Sequence, residues 1–227
     1  MAESKHARRL VETSLVFLAF LLPGYLTVPS DRASLRVSLL VAPTLIAAVP
    51  QLGLVLYLFL IQGEIGRPEL GLKAPRAGEI PVALLTALLM VTVLAGAEIL
   101  VRALPGDTRA MLTRGSRFRL ESWRELPAAA AFCLVGASRE ELLYRDYLFV
   151  RLCDLGLPRA ASVLACTLLF AVAHAYQGPL ALGLALAQGM ILAAAFIRTR
   201  SLGVPILAHT LYNFAALAAG LFASSPI

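Results

Sequence analysis

The chain has 227 residues, 59% of them hydrophobic and 15% charged, with a net charge of +6. Its mean hydropathy is +0.79. Soluble domains are about 45–50% apolar, and the excess here comes in long blocks. This excludes a water-soluble globule and points to a polytopic helical membrane protein. The basic residues lie in the connections between apolar runs, where they hold loops on one side of a membrane and meet anionic headgroups. The positive charge is therefore no footprint of nucleic-acid binding.

Seven spans are predicted in chain order. The first covers about residues 10–28, follows the basic stretch Lys5, Arg8 and Arg9, and is interrupted by Pro23-Gly24. No small-residue cleavage site follows and more spans come after, so it is an uncleaved span rather than a removed signal peptide. The second, about 35–61, carries Pro43 and Pro50 and is expected to kink or tilt. A polar loop with Gly66, Pro68, Gly71 and Pro75 leads to the third span, about 80–104. The connection over 105–125 holds Arg109, Arg114, Arg117, Arg119 and Arg124 and reads as a basic interfacial segment. The remaining spans cover about 126–152, 158–176, 179–197 and 204–222. The expected fold is thus an all-α transmembrane bundle with the active site between its later helices. Three stretches divide it: N-terminal spans and connection (1–125), a core (126–222) and a tail (223–227).

The basic N-terminus favours a cytoplasmic start, which with seven crossings puts the Arg-rich connection outside, against the same rule. Either one early segment does not cross, or the second is a broken re-entrant pair. Cys133, Cys153 and Cys166 form no C-x-x-C pair and read as small packing residues. The abundance of Leu and Ala, and of Arg over Lys, suggests a bacterial chain and hence the inner membrane.

Ionisable residues at membrane depth are expensive and mark functional sites. In the fourth span, Glu140, Glu141, Arg139, Arg145 and Asp146 interrupt an apolar helix. Glu141 and Arg145 are spaced i, i+4 and can pair on one face, either as part of a site or as a structural ion pair. Glu140 is turned about 100° from its neighbour and has no helical partner of its own except Tyr144. His174 ends the fifth span, one turn after Phe170. His209 and Asn213 share a face of the seventh. Two carboxylates and two imidazoles are groups that move protons and attack carbonyls.

Glu140-Glu141-x-x-x-Arg145, then Phe170-x-x-x-His174, then His209-x-x-x-Asn213, in that order on separate apolar segments, resembles the CPBP family. This is the CAAX protease and bacteriocin-processing family of intramembrane peptidases. The resemblance covers about 126–222, with a weaker echo in the stretch Glu69–Leu72. It implies hydrolysis of a peptide bond in a membrane-associated protein or peptide, with membrane lipids as surroundings. Under that resemblance Glu140 is the base that activates water and His174 orients the water or carries its proton. His209 and Asn213 donate to the oxyanion, and Glu141 and Arg145 fix Glu140 from behind. Metal-free catalysis is favoured because no H-E-x-x-H is present. The alternative is zinc held by Glu140, His174 and His209. Two other functions use the same residue types: a proton-coupled transporter, and a non-catalytic immunity or scaffold protein. No internal repeat supports the first.

Overall fold

The computed structural model describes residues 2–27, 34–64, 71, 73–113 and 117–224. Nine α-helices are defined among them: α1 (Ala2–Thr27), α2 (Val37–Ile61), α3 (Ile80–Arg102), α4 (Gly106–Leu112), α5 (Leu126–Glu141), α6 (Leu148–Asp154), α7 (Arg159–Ala173), α8 (Pro179–Thr199) and α9 (Gly203–Ser224). Proline opens α3, α5 and α8 within the first turn, where its missing N–H costs nothing. Arg200, at φ 52°, ends α8 in the left-handed region, and its N–H returns to the Phe196 carbonyl at 2.7 Å.

Among the described residues, four helices are long and apolar enough to cross a membrane: Val37–Ile61, Ala77–Arg102, Pro179–Thr199 and Gly203–Leu221. The seven expected spans are all helical, but the count of crossings by length and hydropathy is smaller. α7 has only 15 residues. The predicted fourth span is a rod of α5 and α6 joined by a π-helical turn, Leu142–Tyr147, and it carries the charged cluster. The re-entrant alternative for the second span does not hold, because α2 runs unbroken through Pro43 and Pro50. Two short strands were not foreseen. β1 (Ser34–Arg36) pairs in parallel with β2 (Arg117–Arg119), three residues each, too short to show an alternating pattern. Among the described residues of the Arg-rich connection, α4 is the α-helical part. Arg114 lies outside the described residues, as do Glu69, Leu70 and Leu72 of the weak motif.

α9 packs between α3 and α5, α5 lies on α2, and α8 touches both α7 and α3. Small residues make these approaches close. Ala129, Cys133, Ala137 and Glu141 follow at four-residue steps on α5 and are all buried. Ala83, Ala87 and Met90 of α3 meet Leu192 and Ala195 of α8 and Val204, Ala208 and Tyr212 of α9. Helices in lipid gain little from burying Leu against Leu, so close packing of small residues is what associates them. Large apolar side chains such as Ile46, Leu60, Leu85 and Leu88 stay exposed on the outer faces.

The parallel strands hold the start of α2 beside the approach to α5. There Arg36 and Arg119 pair with Glu121. The Glu125 carboxyl is held below the usual carboxylate range, chiefly by a hydrogen bond from the Glu121 N–H at 2.8 Å, with help from Ser38 and Arg36. At the opposite end, fully buried Arg151 of α6 donates to Glu64 at 2.7 Å, Gln62 at 3.0 Å and Glu12 at 3.3 Å. This clamp ties α1 and the end of α2 to α6.

The segment around residues 71–75 docks on the turn before α9. The Leu202 N–H donates to the Gly71 carbonyl at 2.7 Å, and the Ser201 hydroxyl to that of Lys73 at 3.3 Å. Gly203 makes this possible, because a Cβ there would overlap the Pro75 ring and sit 2.8 Å from its nitrogen and 3.0 Å from the Lys73 carbonyl. Gly203→Ala is expected to destabilise the protein by about 1–3 kcal/mol through overpacking against backbone. A lowered thermal midpoint in detergent checks this; an unchanged midpoint counts against the contact.

Candidate active site

The site is built on α5, the turn after α7, and α9. The stripe that packs small residues of α5 against α9 carries Glu141 inward, fully buried. Its Oε1 accepts from His209 Nδ1 at 2.8 Å. Its Oε2 faces Arg145 Nε at 3.1 Å, an ion pair without the alignment of a hydrogen bond. Arg145 donates to the Gly189 carbonyl at 3.2 Å and lies over the Phe170 ring at 4.7 Å. Gly189 lets α8 come this near: a Cβ would stand 3.0 Å from Thr167 and 3.2 Å from Phe170.

Glu140, one position earlier, points to another side. Its Oε2 lies 3.8 Å from His209 Nε2 and 4.0 Å from His174 Nε2. The hydrogen on each ring follows from its other nitrogen. His174 Nδ1 is 2.8 Å from the Phe170 carbonyl, which only accepts. His209 Nδ1 meets a carboxylate. Each Nδ1 therefore holds a hydrogen, and each ring turns its Nε2 toward Glu140. The Phe170 ring props both imidazoles, at 4.6 Å from His174 and 5.9 Å from His209.

Residues 122–215 match the family model described as Type II CAAX prenyl endopeptidase Rce1-like. Over these residues the chain matches the CPBP family. The match goes with an intramembrane protease kind of function and with an integral, multi-pass membrane protein. No curated protein and no solved structure matches the chain.

A cavity of about 50 Å³ opens beside Glu140. Phe20 and Leu21 of α1 cover one side, Tyr144 and Leu143 another, and His174 and Tyr176 a third, with Arg139 next to the carboxylate. Asn213 is half-buried one turn beyond His209, but it does not line the cavity, and no hydrogen bond joins it to the cluster among the described residues. Glu141 and Arg145 were expected to fix Glu140; the contact seen is between Glu141 and His209.

The CPBP motifs do not include Arg139 or Gln51, and neither has a role assigned from its spacing. Arg139 Nη2 is 4.0 Å from Glu140 Oε1, and its Nη1 donates to Gln51 Oε1 at 3.3 Å. Gln51 Nε2 donates in turn to the Ala19 carbonyl of α1 at 2.8 Å. That carbonyl is open because Pro23, four residues on, has no N–H to give it. A glutamine in an apolar span and a proline in a helix were the available signals.

Glu140, His174 and His209 are donor types that zinc accepts. Ligands of one tetrahedral zinc stand about 3.3 Å apart, given bond lengths of about 2.0–2.1 Å. The separations of 3.8 and 4.0 Å are wider. Among the described residues no group of three His, Cys, Asp or Glu side chains is gathered closely enough to hold a metal ion.

Proposed function

We propose that this chain is an intramembrane endopeptidase of a bacterial inner membrane. It hydrolyses a peptide bond in a membrane-associated protein or peptide without a metal, using a core within residues 126–222. The observation that carries the reading is the convergence of two imidazole Nε2 atoms on the Glu140 carboxylate at the edge of a cavity.

In this scheme a water sits between Glu140 and the two imidazoles. Glu140 takes its proton as the oxygen adds to the scissile carbonyl carbon, and passes it to the leaving amine when the C–N bond breaks. His174 and His209 hold the water by their Nε2 atoms, and Phe170 and Glu141 fix the ring orientations. His209 becomes an oxyanion donor only when its Nε2 is protonated. Asn213 is carried as a further donor from α9. The small residues and Leu-rich outer faces put this chemistry out of bulk water, where electrostatic effects are strong.

The test uses enzyme in proteoliposomes, a prenylated quenched-fluorescent peptide, and solubilised bacterial membrane proteins scored for new termini. Wild type is compared with Glu140→Ala, with and without a strong zinc chelator. Products made by wild type alone, unchanged by chelator, are the expected result. Loss with chelator turns the assignment to a zinc enzyme. No product dependent on Glu140 from any probe rejects the peptidase and returns a transporter or binding protein.

A further inference from the structure

A water needs about 10–15 Å³ of cavity room, so the space of about 50 Å³ beside Glu140 holds roughly four water-sized groups. The attacking water and the scissile carbonyl take most of it and leave place for little more than a methyl group. A second, apolar crevice is lined by Phe149 of α6, Val163 and Cys166 of α7, and Ala193 and Phe196 of α8. Among the described residues, Tyr144 is the side chain that lines both spaces. Resting on the peptidase reading above, we propose that Tyr144 is a specificity-determining residue: its ring walls the cavity off from the crevice and keeps the substrate side chain lodged beside Glu140 small.

The ring is placed as a fixed partition. Tyr144 stands one turn after Glu140, in the π-helical stretch Leu142–Tyr147, and is buried. Phe170 meets its ring edge-on at 5.2 Å and Phe17 of α1 at 6.5 Å. A close-packed aromatic held from two sides keeps its rotamer. The crevice has room for about one water, about 10 Å³. Its walls are apolar, and Ile197, also of its lining, is exposed on the outer face of α8. Without the ring the two spaces are continuous, and the volume of the phenol is added to them.

The side chains that must share the cavity with the reacting water belong to the two residues flanking the scissile bond. On an extended peptide successive side chains point to opposite sides. One of the two therefore faces Tyr144 and is limited by it, and the other is not. Phe20 and Leu21 of α1 and Tyr176 close the remaining sides with large side chains, so the ring of Tyr144 is the partition with open apolar space behind it.

The experiment starts from the probe that wild type cleaves in a Glu140-dependent way and varies each residue flanking its scissile bond through alanine, leucine and phenylalanine. It measures the ratio of kcat/KM for the larger residues to that for alanine, with thermal midpoints, in wild type, Tyr144→Phe, Tyr144→Leu, Tyr144→Ala and Phe149→Ala. A ratio taken on one enzyme cancels any uniform effect passed through Phe170 to the histidines. Wild type is expected to favour alanine at one flanking position. Tyr144→Ala is expected to raise the ratio there by about 10–200-fold, and Tyr144→Leu by less. Tyr144→Phe keeps the wild-type ratio, because the ring and not its hydroxyl is the wall. Phe149→Ala widens only the crevice and also keeps it. A uniform loss of rate in Tyr144→Ala with unmoved ratios overturns the proposal, as does a wild type indifferent to size at both positions. A ratio shifted in Tyr144→Phe overturns it in favour of a role for the hydroxyl. A ratio shifted by Phe149→Ala alone overturns it in favour of the crevice as the seat of the substrate side chain. If Tyr144→Ala does not fold, Tyr144→Leu decides: unchanged ratios reject the role. Wild type without Glu140-dependent cleavage rejects the peptidase reading itself, a separate outcome.

Discussion

Glu140→Gln is expected to lower the rate of peptide cleavage by about 10²–10⁴-fold while the protein folds as before. Gln has the same shape and keeps an oxygen, but its amide does not take a proton near neutral pH. Little stability is at stake, because the contacts of Glu140 to His174, His209 and Arg139 are 3.8–4.0 Å long, beyond hydrogen-bond distance. Its side chain is 23% exposed at the cavity, so the change does not bury a new unsatisfied group deep in the bundle. A scaffold or immunity protein loses nothing from this substitution, whereas a peptidase loses turnover. The check is initial cleavage rate beside the thermal midpoint in the same detergent. Full activity with an unchanged midpoint removes Glu140 from the chemistry.

Much of this site is legible in the sequence, and the boundary of legibility has physical causes. The i, i+4 spacing of Glu141 and Arg145 fixes their shared face, and they pair at 3.1 Å. The one-residue offset of Glu140 turns it away from that pair, as helix geometry requires. The later helices begin and end within a few residues of expectation, because Pro127, Pro179 and the Gly156 and Gly178 turns punctuate apolar runs. By contrast, the contact of Glu141 with His209 joins residues 68 apart. It depends on how closely α9 approaches the small-residue stripe of α5, which no local pattern encodes. The π-helical turn at Leu142–Tyr147 is equally silent. It breaks the 3.6-residue register just after the paired glutamates, where such turns often mark functional sites. The chain from Ala19 through Gln51 to Arg139 is hidden for a different reason: its members lie on three separate helices, and only the fold brings them together.

Breaking the Glu141–Arg145 pair is expected to be the most destabilising change in the core. Both side chains are almost fully buried, at 0% and 4% exposure. Glu141→Leu leaves the Arg145 cation without its counter-charge and His209 Nδ1–H without an acceptor. Arg145→Met leaves the carboxylate without its counter-charge, with only the His209 Nδ1–H to meet it. Each single change is expected to cost about 3–5 kcal/mol, because an uncompensated buried charge is worse than none. The double variant Glu141→Leu/Arg145→Met is expected to recover most of that loss, since an apolar pair of similar volume replaces a buried ion pair at little net cost. Activity is expected to stay low in the double variant. Nothing then holds the hydrogen on His209 Nδ1, and the ring is free to turn its Nε2 away from Glu140. Thermal midpoints and cleavage rates measured on the same preparations separate the two effects. If the double variant is no more stable than either single one, the pair is not acting as a compensated charge. If it is stable and fully active, Glu141 does not orient His209 for the reaction, and the contact between α5 and α9 is structural alone.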